Sequence, residues 1–454
     1  MADHPAELDR AEAALEETVR LLEEGQVEEA LTHLSALHPA DQAEVIAELG
    51  TEARGLLVPR IPPDALAQII DYLREEPRRE IVAELDPVVL GPVLDGVEPD
   101  VAVDVLHSLA PERAQEVLAT MSRAAEIAPL LPHADESAGG RMTSDFVALH
   151  REWTVEQSLS YLRRTRPKAE QVFYLYVVDD QHRLEGVVSL RHLVVAAPEE
   201  RISDLMAPEV VSVRTTEDQE EVARRVQRYN FVAVPVVDEG RRLVGVITAD
   251  DVMDVIQEEA TEDMYQLVGL GSEETVLSPV PSAARRRIPW LLVNLLIAFL
   301  SALTVSAFED TIAKVAILAA FMPVVAGHGG NTGTQAITLV VRGLALDEVR
   351  PADAWRVMWK EMRFGLLHGA IAGALSAAMA LAITRNEWLA AVVFCAMLGN
   401  IVLAATVGSF LPLLMRRLGI DPALASAIWL TTFTDIMGFL LLLGLGAILV
   451  ERIS

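Results

Sequence analysis

From about residue 7 to residue 130, apolar positions return with helical spacing over short stretches. Turns of the form apolar-x-Pro separate them: Leu37-His38-Pro39, Leu85-Asp86-Pro87, Val97-Glu98-Pro99 and Leu109-Ala110-Pro111. Pro39, Pro63, Pro87, Pro99 and Pro111 are 24, 24, 12 and 12 residues apart. That spacing predicts a repeated unit of one short helix and a turn, with Pro near each helix start, where its missing N–H costs nothing. Stacked units of this kind make a helical solenoid, which serves docking more often than catalysis.

From residue 142 to 257 the pattern changes to short β-branched strands alternating with helices, and it repeats. Val177-Val178-Asp179-Asp180-Gln181-His182-Arg183-Leu184-Glu185-Gly186-Val187-Val188-Ser189 matches Val236-Val237-Asp238-Glu239-Gly240-Arg241-Arg242-Leu243-Val244-Gly245-Val246-Ile247-Thr248 at a constant offset of 59. Each copy reads as strand, acidic turn, strand, helix. The two copies resemble a tandem pair of CBS domains, modules that sense ligands and form dimers. A polar stretch, Glu258 to Ala284, is expected to carry the chain onward as a connecting helix.

The rest of the chain holds five apolar runs, about 288–308, 312–341, 364–384, 388–415 and 422–450. Each reaches the roughly 20 residues that cross a bilayer core. Arg285-Arg286-Arg287, the loop carrying Arg342, Arg350, Arg356, Lys360 and Arg363, and Arg416-Arg417 fall on one side, which the positive-inside rule makes cytosolic. The expected organisation is a 1–135 helical domain, a 136–257 domain pair, a 258–284 connector and a 285–454 five-helix membrane domain. The soluble part is then cytosolic, the C-terminus lies outside, and the membrane is the plasma (inner) membrane.

Charge sharpens this division. Residues 285–454 carry 13 Lys+Arg against 10 Asp+Glu, whereas the 284 residues before them carry 24 against 56. So acidic a region repels nucleic acid and anionic headgroups and attracts cations. The single cysteine, Cys395, excludes an intrachain disulfide and a Cys-based zinc site. The N-terminus shows no signal-peptide pattern, so membrane insertion is expected from the later runs.

Two features of the apolar runs point to chemistry. Asp435 stands in the middle of the fifth run, where a carboxylate costs several kcal/mol unless it meets a cavity, a partner or an ion. Thr432 is placed to add an oxygen. Met322-Pro323-Val324-Val325-Ala326-Gly327-His328-Gly329-Gly330-Asn331-Thr332-Gly333-Thr334-Gln335 interrupts the second run with Pro and glycines. Non-helical backbone at that depth survives only beside a cavity or buried in protein. Carbonyls facing a pore and close helix packing through small residues are the two readings of it.

Together these segments resemble the MgtE family of magnesium channels, whose second span carries Gly-Gly-Asn-x-Gly-x-Gln and whose fifth carries a pore aspartate. The resemblance covers nearly the whole chain. It implies a homodimer in the lipid bilayer with a central pore, where Asp435, Gly329, Gly330, Asn331, Thr334, Gln335 and Thr432 would hold hydrated Mg²⁺ and possible other divalent cations. Mg²⁺ sheds water reluctantly, so a few carboxylates and carbonyls suit it.

The family's gate closes when cytosolic Mg²⁺ bridges acidic faces. The matching acids are Asp100, Asp104, Asp218, Glu220, Asp251, Glu259, Glu262, Asp263 and Asp421, with Asp100/Asp104 and Glu259/Asp263 each at i, i+4 on one helix face. The chain departs from some relatives at Thr334 and Ala427, where they have Asn, and at Asn230, where they have Asp. CBS pairs often hold adenosine nucleotides such as ATP through an aspartate three residues after the strand-closing Ser or Thr. The second copy keeps this pattern as Thr248 and Asp251; the first has Ser189 and His192.

No Walker A, Gly-x-Ser-x-Gly or His-Glu-x-x-His pattern is present, which disfavours an ATP-driven pump or a hydrolase. Two other readings stay open. One is an H⁺- or Na⁺-coupled cation transporter, with His328 as the further ionisable group. The other is a membrane-anchored metal sensor that transports nothing.

Overall fold

The computed structural model describes residues 4–167, 172, 174–271, 274–276, 278–346, 348–425 and 427–453. The chain divides into two compact units, Met1–Ile256 and Gln257–Ser454.

The first unit opens with the 20-residue helix His4–Glu23 and continues in short helices, five of which begin at the predicted prolines: Pro39–Glu48, Pro63–Tyr72, Pro87–Leu94, Pro99–Ser108 and Pro111–Thr120. The residue before each Pro is extended, as the pyrrolidine ring requires, so the repeated turn and the repeated helix start are one device. Their inner faces, including Ile46, Leu66, Ile70, Leu90 and Leu106, are buried in one apolar core. That core continues into Val222, Val234 and Ile247 of the second β-α copy.

The two copies fold alike. In the first, Tyr174–Val178 pairs parallel with Ala148–His150 and antiparallel with Leu184–Ser189; in the second, Ala233–Val237 pairs parallel with Val213–Arg214 and antiparallel with Leu243–Thr248. Within the hairpins the register obeys the offset of 59: Tyr174 faces Ser189 as Ala233 faces Thr248, and the bulges at Val177/Val178 and Val236/Val237 correspond. The acidic turns are built by their own aspartates. Asp179 accepts from the backbone N–H of Arg183 at 2.9 Å and Asp238 from that of Arg242 at 2.8 Å, which supports positive φ at His182 and Arg241. Across the pair, Leu184 N–H donates to Arg241 O and Leu243 N–H to His182 O, so the hairpins lock reciprocally.

In the second unit the expected connecting helix proves shorter. The helix Ala249–Leu267 stops where Gly269 adopts φ +74°, and none of the described residues before Val280 is helical. Gly269, Gly271 and Pro279 make a continuous helix unfavourable there.

Five long helices follow: Val280–Ser306, Leu318–Ala345, Ala354–Thr384, Glu387–Arg417 and Ala427–Ile448. Four are long and apolar enough to cross a membrane; Leu318–Ala345 matches them in length but not in hydropathy. Its Gly, His, Asn, Thr and Gln residues account for that. The expected start of the second run at 312 is occupied by a separate short helix, Glu309–Lys314, and the fifth run opens with a 3₁₀ turn, Pro422–Ala425.

Candidate ion-binding site

The second long helix, Leu318–Ala345, passes unbroken through the Gly-rich segment, which corrects one of the expectations raised above. Gly329 and Gly330 keep their carbonyls in the helical ladder and serve close packing. Pro323 lies near the helix start, so only one early bond is lost to its missing N–H. A Cβ on Gly329 would stand 3.3 Å from Thr434 Cβ, and one on Gly408 would stand 2.6 Å from the Gly333 carbonyl oxygen. By contrast, nothing lies within 4 Å of a Cβ on Gly327. Small residues therefore let the second and fourth long helices touch through their backbones and let side chains of the fifth pack directly onto the glycines of the second. Gly408→Leu should cost about 3 kcal/mol or more by overpacking and abolish the monodisperse elution of detergent-solubilised protein, while Gly327→Ala should elute normally.

This close approach sets the polar face. Gly330 lies beside Thr431 and Thr434, with Thr434 buried and its hydroxyl donating to Thr431 O at 2.9 Å. One residue further on, Asp435 is half-exposed, with no hydrogen bond or ion pair recorded among the described residues. Thr432 is likewise half-exposed. On the second long helix Asn331, Gln335 and Thr338 fall at i, i+4 and i+7, and all three are exposed, with Thr334 half-exposed between them. A polar stripe on a helix of this depth is costly against lipid and is accounted for by a partner or a water-filled path. The side chain of Ala427 lies outside those described.

Asn400 was not foreseen. It is fully buried in the fourth long helix, its Nδ2 donates to Val325 O at 2.9 Å, and its Oδ1 has no partner. Gly329 and Gly438 both leave room for it. The bond ties the fourth helix to the second just before the Gly-rich segment. The signal was an Asn inside the apolar run Phe394-Cys395-Ala396-Met397-Leu398-Gly399-Asn400-Ile401-Val402. Glu361 was also missed; it is buried, with Lys360 Nζ at 2.8 Å.

Among the regulatory acids, the first unit gathers Asp100, Asp104 and Asp251. Asp100 and Asp104 lie one turn apart on Pro99–Ser108; Asp100 Oδ1 is buried without a partner. Burial first, then the charges of Asp251, Glu98 and Asp104, hold the Asp100 carboxyl well above the ordinary carboxylate range. Burial also pushes Asp104 up to about 6, against the pull of Arg141 and Arg78. Asp251 is pushed up to about 6 by burial and by neighbouring acids, although the Thr248 hydroxyl and backbone N–H donate to it at 2.5 and 3.3 Å.

The remaining acids have local roles. Asp218 caps the helix Gln219–Tyr229 by accepting from Glu220 N–H at 2.9 Å, and Glu220 pairs with Arg224 at 2.5 Å. Asp421 accepts from Ala423 N–H at 2.8 Å. Glu259, Glu262 and Asp263 follow one another along Ala249–Leu267, with Gln266 donating to Glu262 at 2.5 Å. Asn230 takes φ 53° as the C-cap of Gln219–Tyr229, a conformation that suits Asn. Among the described residues, no three His, Cys, Asp or Glu side chains close around a point that could hold a metal.

A soluble helical domain and β-α pair, joined to a bundle with a half-exposed acid and a polar helix face, define a membrane protein of the ion-transport class. Comparison with known proteins narrows the class. The family model for MgtE, a divalent cation transporter, matches residues 322–445; the MgtE intracellular N domain matches 37–136, and the CBS domain matches 138–199 and 202–258.

The magnesium transporter MgtE of Thermus thermophilus is 41% identical over 336 residues, 72% of this chain and 73% of that one; MgtE of Bacillus subtilis is 36% identical, with 74% of each covered. The cytosolic domain of the Mg²⁺ channel MgtE in complex with ATP is 39% identical over 52% of this chain and 97% of that one, with a TM-score of 0.49. The chain belongs to the MgtE family.

Proposed function

We propose that this chain conducts Mg²⁺ passively across the plasma (inner) membrane, as a homodimer whose five long helices all span the bilayer and whose pore lies between two copies. The observation that carries the reading is Asp435, half-exposed and unneutralised, on a bundle whose second long helix turns Asn331, Gln335 and Thr338 outward. Two such faces brought together supply two carboxylates and a set of amide and hydroxyl oxygens, the donor chemistry a hydrated Mg²⁺ accepts. Asp435, Asn331, Thr334, Gln335 and Thr432 are the pore candidates. By the positive-inside rule the arginine-rich ends favour a cytosolic N-terminal part and an outside C-terminus.

Closure by internal Mg²⁺ follows from the acids. Asp100, Asp104 and Asp251 repel one another when ionised and are drawn together by a divalent cation, and Glu259, Glu262, Asp263 and Asp421 are the further acidic candidates. Asp218 and Glu220 are weaker candidates, since a helix cap and an arginine already engage them. ATP fits the second CBS copy better than the first, where His192 replaces the acid.

No hydrogen bond or ion pair links Asp435 to His328 among the described residues, which favours a passive path over a coupled one. The test is Mg²⁺ entry into liposomes holding the purified protein, with an inward Mg²⁺ gradient and neither a proton nor a sodium gradient. Entry under these conditions is expected. Entry that appears only with a counter-gradient would assign the chain to the coupled transporters, and none in either case would leave it a sensor.

A further inference from the structure

We infer that His328 and His368 form a binding site for a divalent ion of the zinc, cobalt or nickel type, between the second and third long helices. The two imidazole centroids are 6.4 Å apart with the rings tilted by 44°. His328 is exposed and His368 half-buried. Each ring has one nitrogen engaged and one left over, an expensive arrangement on membrane helices, and a shared ligand accounts for the pair.

The hydrogen bonds fix which nitrogens are available. His328 Nδ1 lies 3.2 Å from Val324 O. A carbonyl only accepts, so Nδ1 carries the proton and the lone pair is on Nε2. The Thr332 hydroxyl donates its single proton to His328 O at 2.8 Å, so toward His368 Nδ1, at 3.3 Å, it accepts. His368 is therefore also protonated on Nδ1, with its lone pair on Nε2. Both rings hold the tautomer that metal-ligating histidines adopt, each with its other nitrogen donating to an oxygen.

Neutral imidazole selects zinc, nickel and copper, whereas Mg²⁺ takes oxygen donors. A tetrahedral ion with bonds of about 2.0 Å brings two ring centroids to roughly 5 Å. Rotation of the exposed His328 side chain supplies the approach of about 1 Å, and water fills the other positions. Occupancy would clamp Leu318–Ala345 to Ala354–Thr384 at the level of the Gly-rich segment.

The test is a Co²⁺ titration of full-length protein in detergent after chelator treatment, followed by visible absorption, for wild type, His328→Gln, His368→Gln and the double variant. Wild type is expected to show a nitrogen-ligated Co²⁺ band that Zn²⁺ displaces and a large excess of Mg²⁺ does not. Each single variant is expected to bind at least tenfold more weakly. A double variant that titrates like wild type, or displacement by Mg²⁺, overturns the assignment. Should the variants fail to fold, Zn-edge X-ray absorption of the wild type decides: two imidazole ligands support the site, and fewer overturn it. None of these outcomes depends on whether Mg²⁺ moves passively.

Discussion

Asp435→Asn lowers Mg²⁺ flux in liposomes by at least 100-fold while the protein elutes and melts as the wild type does. The substitution keeps the shape and hydrogen-bonding capacity of the side chain and removes only its charge. A divalent ion held through its own water layer draws several kcal/mol from one carboxylate in a medium of intermediate dielectric, and a paired site loses two carboxylates at once. Each 1.4 kcal/mol is a factor of ten in occupancy. Because Asp435 has no cationic partner among the described residues, no buried positive charge is orphaned and the bundle gains slightly in stability. The same feature separates the readings: a sensor without a path would show no flux to lose. Equal flux in the two proteins would remove Asp435 from the path.

The residues differ in how openly the chain declared them. Asp435 stood out in the sequence because a lone carboxylate in an apolar run has few explanations, and the structure leaves it half-exposed. Pro39, Pro63, Pro87, Pro99 and Pro111 were legible because Pro marks helix starts, and the offset of 59 predicted even the matching bulges. The Gly-rich segment misled for a physical reason. Glycine serves both a broken backbone and a tight helix crossing, and only the partners decide; here they are Thr434 beside Gly329 and Gly333 beside Gly408. Asn400 and the pairing of His328 with His368 escaped because each depends on a contact between helices far apart in sequence. The acids of the soluble part were the least legible, since they were nominated by resemblance alone, and an acid such as Asp218 can equally serve as a helix cap.

Thermal unfolding of the first unit, read from Trp153 in the full-length protein, should show a metal-free midpoint lower at pH 7.5 than at pH 5. Asp104 and Asp251 are pushed up to about 6 from an ordinary 3.8, so the folded state binds more protons than the unfolded one between those values. Their contribution is present in full below the unfolded value and is lost as pH rises through the folded one. Allowing for partial exposure, the loss from pH 5 to 7.5 is about 2 kcal/mol in all, or roughly 5 °C. Mg²⁺ should reverse it, because a bound cation stabilises the ionised set at pH 7.5 and finds it already protonated at pH 5. Asp100→Asn sharpens the test. Removing the most strongly opposed charge should raise the metal-free midpoint at pH 7.5 and shrink the Mg²⁺ gain together. A lower midpoint with an undiminished Mg²⁺ gain would mean that the ion acts elsewhere on the acidic surface.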